Sequence, residues 1–299
     1  MTTYSIYQVD AFTTTPFQGN PAGVVLAADG LTTGQMQQIA SELNNSETAF
    51  VCRATEQQAD LRLRFFTPTT EVAMCGHATI AAIFVLTMQQ RLTSQTLQIQ
   101  TQHALLPVTI SQRADQTVIT LQQGLLRLQA PLAPAVQTEI LAALGIEAAQ
   151  QLPNCPLAIA TAGTVGKVMI AVNSQTVLAQ LQPYFNRLAA ISQQLGYGYY
   201  VFTMNPAKHP LIFGRMFNPA AGINEDPVTG NANGPVAAYL LQHHLINNSG
   251  QQLEFTASQG IPNGRSGEIK VCVQLAQRQP TTVAISGQAV IVFTTTLTL

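Results

Sequence analysis

Two stretches of this chain repeat one pattern, and that repeat limits the fold more than any other feature. Arg64-Phe65-Phe66-Thr67-Pro68 leads to Cys75-Gly76-His77-Ala78 and an apolar run, while Arg215-Met216-Phe217-Asn218-Pro219 leads to Thr229-Gly230-Asn231-Ala232 and a second apolar run. The second copy holds three more residues between its Pro and its Gly. A sequence that repeats itself in this way builds two units of one design. Two related halves facing each other would make one cleft between matching loops. The residues that break the match then become the first candidates for function: Cys75 against Thr229, His77 against Asn231, and Asp226, which reads as lying in the three-residue excess without a counterpart.

The apolar runs say what each unit encloses. After Gly76 come Ala78, Ile80, Ala81, Ala82, Ile83, Phe84, Val85 and Leu86, and after Gly230 come Val236, Ala237, Ala238, Leu240 and Leu241. A helix that is apolar on every side must be buried all round. Each half is therefore expected to wrap strands around one central helix. Strand-like segments at Tyr4 to Val9, Gly23 to Leu26, Thr48 to Cys52 and Leu61 to Phe65 surround the first. Met36, Ile39, Ala40 and Leu43 follow helical spacing, with Thr32 or Thr33 as the cap. Ala130-Pro131-Leu132-Ala133-Pro134 opens a connecting helix that ends at Gly145. The second half repeats the order, and a strand from Val283 onward is expected to return to the first. The domains predicted are residues 1–120 with about 283–299, and residues 121–282.

Composition excludes several classes of function. Of 299 residues 46% are hydrophobic, enough for a full core, but only 9% are charged and the formal net charge is -1. Thirteen Lys and Arg without a basic cluster argue against nucleic acid. No apolar stretch has the length of a membrane span, and the start lacks a basic region and a signal core, so a soluble, cytoplasmic protein is expected. The four cysteines are far apart with no C-x-x-C, which indicates neither a zinc site nor a disulfide framework. Cys52, Cys155 and Cys272 read as core residues.

Six positions carry the candidate chemistry. Gly76 and Gly230 each precede a buried helix, whose free N–H groups and positive dipole end suit a carboxylate. Glu47, in Asn44-Asn45-Ser46-Glu47-Thr48-Ala49-Phe50, is an acid beside an apolar strand in a chain poor in charge. Partial burial there would raise its pKa toward the range useful for acid/base work. His77 is a candidate acid, base or donor. Asp226 could accept a substrate amine or hydroxyl or orient His77, and its plain alternative is a turn residue before Pro227; Glu225 reads as solvated. Cys75, at a helix start, could act as a thiolate base. Racemisation, however, needs two bases on opposite faces of one carbon, and the matching residue, Thr229, does not ionise usefully.

Taken together, Gln8-Val9-Asp10-Ala11-Phe12, Gly19-Asn20-Pro21-Ala22-Gly23-Val24, Ser46-Glu47-Thr48-Ala49-Phe50, Phe66-Thr67-Pro68, Cys75-Gly76-His77-Ala78-Thr79 and Glu225-Asp226-Pro227-Val228-Thr229-Gly230-Asn231-Ala232 resemble the phenazine-biosynthesis isomerase-like family of the diaminopimelate epimerase fold. The resemblance implies two similar α/β domains, each a curved, mostly antiparallel sheet around a central helix, with the active site in the cleft between them. It also implies a homodimer that uses no cofactor and no metal. Residue by residue, it makes Glu47 the acid/base and sets His77 and Asp226 around the substrate. Gly76 and Gly230 would donate to the substrate carboxylate, and Asn20, Cys75, Thr229 and Asn231 would line the pocket. Two departures matter: Asn231 stands where the phenazine enzymes carry Ser, and Cys75 where they carry a non-thiol residue.

The function expected is thus a cofactor-independent isomerase that moves a proton between carbons of a small carboxylate through Glu47. One alternative is an amino-acid racemase or epimerase in which Cys75 pairs with Glu47 or Asp226. Another is a binding or interaction protein that kept the fold and lost catalysis.

Overall fold

In the computed structural model, which describes residues 1–92, 94–113, 116–247, 250–277 and 279–299, the chain divides into two units, Met1–Gln122 with Ser286–Leu299, and Gln123–Ile285. The class is mixed α/β. The first unit runs β1 (Thr3–Ala11), β2 (Asn20–Val25), α1 (Thr33–Leu43), β3 (Glu47–Cys52), β4 (Leu61–Phe66), β5 (Glu71–Val72), α2 (Gly76–Met88), β6 (Thr96–Gln100), β7 (Leu105–Arg113) and the first part of β8 (Gln116–Pro131). The second continues with α3 (Pro134–Leu144), β9 (Ala158–Ala162), β10 (Val165–Ala171), α4 (Gln175–Gln180), α5 (Phe185–Leu195), β11 (Gly198–Met204), β12 (Ile212–Asn218) and β13 (Ile223–Asp226). Then follow α6 (Gly230–Asn233), α7 (Val236–Gln242), β14 (Gln252–Gln259), β15 (Gly267–Ala276) and β16 (Gln279–Gly287), and β17 (Ala289–Thr298) pairs antiparallel with β1. Among the described residues, no helix is long and apolar enough to cross a membrane.

The repeat holds at the level of hydrogen-bond register. In the first unit β1–β2 is antiparallel, β2–β3 parallel, β3–β4 antiparallel, β4–β5 antiparallel and β4–β6 parallel. The same five pairings recur in the second as β9–β10, β10–β11, β11–β12, β12–β13 and β12–β14. Thr48 opposes Phe66 as Tyr199 opposes Phe217, so Glu47 matches Gly198. Ala22 opposes Glu47 as Lys167 opposes Gly198. Phe65 opposes Val72 as Met216 opposes Asp226. Asp226 therefore does have a counterpart, the apolar Val72, contrary to the expectation from sequence. The three extra residues are absorbed earlier, by the 3-10 turn Pro219–Ala221 that Pro219 initiates.

Sequence explains why these segments fold as they do. Gly76 through Leu86 are buried apart from the partly exposed Phe84, and α2 packs on β1, β2, β3 and β17. Burying each of Ile80, Ile83, Val85 and Leu86 contributes about 1.5–3 kcal/mol. The second central helix departs from the expected continuous run. It is two pieces, α6 and α7, with the join at Gly234-Pro235, where Pro235 lacks an N–H to donate. The other face of each sheet carries an amphipathic layer. A capping box between Thr32 and Gln35 starts α1, which sets Met36, Ile39 and Ala40 against Tyr4, Ile6, Val25, Phe50 and Phe66. Pro134 opens α3 and a left-handed Gly145 ends it, and its Ile140 and Leu144 join Leu188 and Ile191 of α5 against Val168, Ile170, Tyr199, Val201 and Phe217.

A second shared device pins β4 to β5 and β12 to β13. Arg64 binds both oxygens of Glu71 at 2.8 and 2.7 Å, and Arg215 binds both oxygens of Glu225 at 2.9 and 2.8 Å. Each guanidinium also lies 5.1 Å from the ring of the Phe two residues on, Phe66 and Phe217. Glu225 is thus held in an ion pair rather than solvated, because the repeated Arg lies across the ladder from it. Arg215 additionally donates to the carbonyls of Leu178 and Leu181, both at 3.1 Å, and is buried, whereas the other bond of Arg64 goes to the exposed Thr33 hydroxyl. Arg215→Met should therefore cost about 3 kcal/mol, as expected when a buried ion pair loses one partner. Arg64→Met should cost about 1 kcal/mol, near the upper end for surface pairs, because the Arg64–Glu71 pair is less buried. Urea unfolding of the two variants checks this, and equal losses would contradict the account.

Candidate active site

Glu47 is the first residue of β3, and its carboxyl lies on the face of that strand opposite Phe50, the face against which α2 packs. Cys75 is the N-cap of α2 and His77 its second residue, so strand start and helix start meet at one rim of the unit. His77 Nε2 lies 3.5 Å from Glu47 Oε2 and 3.3 Å from Ser46 Oγ, and Nδ1 lies 3.3 Å from Cys75 Sγ. With its proton on Nε2, His77 can donate toward Glu47 and presents Nδ1 as an acceptor toward Cys75 Sγ, whose single S–H also faces Glu47. Side-chain exposure is 15% at Glu47 and 7% at His77. Burial pushes the Glu47 carboxyl above its ordinary value, against bonds from Ser46 and Cys75 that favour the charged form. Glu47 is thus inside the protein yet reaches its surface, which suits a group that must take up and return a proton.

The start of α2 adds a polarity of its own. The first intrahelical bond is Thr79 N–H to Cys75 O at 3.1 Å, which the Thr79 hydroxyl reinforces at 2.7 Å. The Cys75 side chain does not cap the helix. Donors of the first turn therefore point outward, with the positive end of a thirteen-residue helix behind them. Asn20 begins β2 and is fully buried. It lies two residues before Ala22, which opposes Glu47, and so shares the Glu47 face of the sheet.

The equivalent rim of the second unit holds different chemistry. Thr229 is the N-cap of α6, and its hydroxyl donates to the Asp226 carboxylate. Gln259 binds this turn from β14. Its Nε2 donates to the Asp226 carbonyl at 2.8 Å and to Thr229 Oγ1 at 3.2 Å, and its Oε1 accepts from Thr229 N–H at 3.1 Å and Asn233 Nδ2 at 2.8 Å. The Tyr200 hydroxyl closes the network on Asn233 Oδ1 at 2.5 Å. Asn231, the match of His77, accepts from Gln123 at 3.2 Å. Lys167 lies on the face of β10 away from Val168, next in register to Gly198, and donates to the carbonyl of Gly166 at 3.0 Å. Burial lowers its pKa and the charge of Asp226 opposes that shift.

Glu47, Cys75, Gly76 and His77 thus come together in one unit, and Asp226, Thr229, Gly230 and Asn231 in the other. Gln259, Asn233, Tyr200 and Lys167 are not among the candidates that the sequence yields. For Lys167 a signal exists, a cation inside an apolar strand of a chain with 9% charged residues. For Gln259, one of many glutamines, no local signal exists. Of the cysteines expected in the core, Cys155 is buried, whereas Cys52 and Cys272 are part-exposed at strand positions.

With this geometry in hand, comparison with known proteins is specific. The family profile of phenazine biosynthesis-like proteins matches residues 9–295. A protein of Clostridium acetobutylicum named an uncharacterized isomerase is 44% identical over 298 residues, covering 99% of this chain and 98% of its own. The uncharacterized isomerase YddE of Escherichia coli K12 is 43% identical over 96% of both chains. Among solved structures, the phenazine biosynthesis protein of the PhzF family from Bacillus anthracis superposes with a TM-score of 0.90 at 28% identity over the full length of both. The chain belongs to the phenazine biosynthesis-like (PhzC-PhzF) family and is an isomerase of that family.

Proposed function

We propose that this chain is a cofactor-independent isomerase in which Glu47 removes a proton from one carbon of a small carboxylate substrate and returns it to another. The observation that carries the reading is the setting of Glu47, where a carboxyl raised by burial is held by Ser46, His77 and Cys75 at the start of the buried helix α2. A base works best with its pKa near the working pH, and such a base contributes roughly 10²–10⁴-fold in rate. The donors of the first turn of α2 suit the charge that develops on a substrate carboxylate as the adjacent carbon loses its proton. His77 keeps the carboxyl oriented and can pass its proton along.

The racemase alternative with Cys75 and Glu47 as opposed bases is poorly served by the geometry. Two bases acting on opposite faces of one carbon each approach it to about 3–3.5 Å, and so stand about 6–7 Å apart. Here the ligand atoms of Glu47, Cys75 and His77 all lie within 4.8 Å of one another, which leaves no room for a carbon between thiol and carboxyl. A proton shift on one face needs only one base. The family resemblance assigns Asp226, Thr229, Gly230 and Asn231 to the substrate as well, and the bonds that Gln259 makes to Asp226 and Thr229 would keep those two contacts rigid.

The test uses small cyclic and unsaturated amino carboxylates incubated in deuterated water. Wild-type protein should incorporate deuterium into at least one of them, and Glu47→Gln should slow that exchange by roughly 10²–10⁴-fold. Exchange that survives the substitution would remove Glu47 from the mechanism. The same variant reports on burial. Because the folded protein holds the Glu47 proton to higher pH than the unfolded chain, wild type loses stability relative to Glu47→Gln as pH rises above the ordinary carboxyl value. Thermal unfolding from pH 4 to 7 should show the variant gaining on wild type across that window. A constant difference would mean that the carboxyl is solvated.

A further inference from the structure

Among the described residues, one group of His, Cys, Asp and Glu side chains converges as metal ligands do, and it is the trio Glu47, Cys75 and His77. We propose that these three side chains form a binding site for a thiophilic divalent cation of the zinc class, which blocks the proton-transfer site when bound. The inference rests on the ligand geometry of one unit, and on the proposed function only for the consequence that binding inhibits.

The donor set is selective. One carboxylate oxygen, one imidazole nitrogen and one thiolate sulfur are borderline ligands that suit Zn²⁺, whereas Mg²⁺ and Ca²⁺ prefer oxygen alone. The spacing is also right. Bonds of about 2.0–2.3 Å in a tetrahedral site put neighbouring ligand atoms about 3.3–3.7 Å apart. His77 Nε2 lies 3.5 Å from Glu47 Oε2 and 3.9 Å from Cys75 Sγ, and all three ligand atoms fall within 4.8 Å. Small side-chain rotations close the remainder, because all three residues are fixed by regular elements, the first residue of β3 and the start of α2. Three protein ligands leave a fourth position for water.

A cation held here would act as an inhibitor. A carboxylate bound to metal cannot take a proton from carbon, and His77 Nε2 would lose its contact with Glu47. The second unit lacks the device, since the matching positions carry Gly198, Thr229 and Asn231, none of which supplies a comparable ligand set. The other thiols are not competitors on the same terms. Cys52 is pushed up to about 11, and Cys155 and Cys272 are also raised, chiefly by burial, so each holds its proton more tightly than an ordinary thiol.

Co²⁺ titration of the untagged full chain tests the proposal without any substrate. One equivalent should produce a thiolate-to-cobalt charge-transfer band with the intense visible absorption of a tetrahedral site. Zn²⁺ should abolish both and Mg²⁺ should not. Cys75→Ser should remove the charge-transfer band, and His77→Gln and Glu47→Gln should each weaken Co²⁺ binding more than about 100-fold, beyond the loss expected from outer-shell changes. Cys52→Ser should leave the titration unchanged. Absence of the band in wild type, or its persistence in Cys75→Ser, overturns the site. Circular dichroism establishes that each variant is folded, and if Cys75→Ser is not, unchanged affinity in His77→Gln overturns the site equally. Metal binding with normal deuterium exchange at saturating Zn²⁺ would refute the inhibitory role alone, and loss of exchange in Glu47→Gln without metal binding would refute the site and leave the isomerase reading intact.

Discussion

A helix without a polar face cannot meet water, and that single constraint organises each half of this chain. The residues of α2 from Gly76 to Leu86 are buried apart from the partly exposed Phe84, so strands must close around it on most sides. The sheet that does so then has an outer face of its own, which α1 covers in the first unit and α3 with α5 in the second. A buried helix must bring its backbone out at its ends, and at the start it is N–H donors that emerge, since the first-turn N–H groups have no acceptor within the helix. The polar side chains of Cys75 and His77 sit at that start. The same packing that hides the helix brings its polar end to the rim where Glu47 begins β3.

The repeat separates what the fold requires from what the function requires. Requirements of the fold recur in both halves: the glycine at the helix start, the strand register, and the Arg–Glu pair across the short ladder with its Phe beneath. The pairs Arg64–Glu71 and Arg215–Glu225 lie seven and ten residues apart in sequence yet have the same geometry, because a 3-10 turn takes up the difference. On the rim, matched positions change chemical type. Glu47 is answered by Gly198, Ala22 by Lys167, Val72 by Asp226, Cys75 by Thr229 and His77 by Asn231. Five changes of chemical type at matched positions, within a shared frame, are hard to reconcile with a purely structural rim.

Much of this is legible in the sequence because it depends on local pattern. The all-round apolar run specifies a buried helix, the spacing of Met36, Ile39 and Ala40 an amphipathic one, Thr32 the start of that helix and Gly145 the end of α3. Glu47 stands out because a carboxylate beside an apolar strand is conspicuous in a chain with so little charge. What escapes depends on contacts between distant strands. Gln259 reaches Asp226 and Thr229 only because β14 runs parallel to β12, and nothing near residue 259 announces that pairing. Glu225 reads as solvated for the same reason, since its partner Arg215 sits across a ladder. Asp226 reads as unmatched because counting residues from Pro219 cannot reveal which of them a turn absorbs.

The two rims also differ in how their hydrogen bonds are made, and the difference bears on where proton chemistry belongs. Around Asp226 the network consists of amides and hydroxyls, Gln259, Asn233, Thr229 and Tyr200, which do not change charge near neutral pH, with the buried Lys167 nearby. Such a network holds its shape and its polarity. Around Glu47 the partners are a thiol, an imidazole and a hydroxyl, and the first two exchange protons readily. Burial raises the Glu47 carboxyl above its ordinary value, and the imidazole that could exchange a proton with it lies 3.5 Å away. A rigid rim suits recognition and an exchangeable one suits transfer. Within a repeat whose frame is otherwise shared, that division supports our proposal that proton transfer belongs to the first unit.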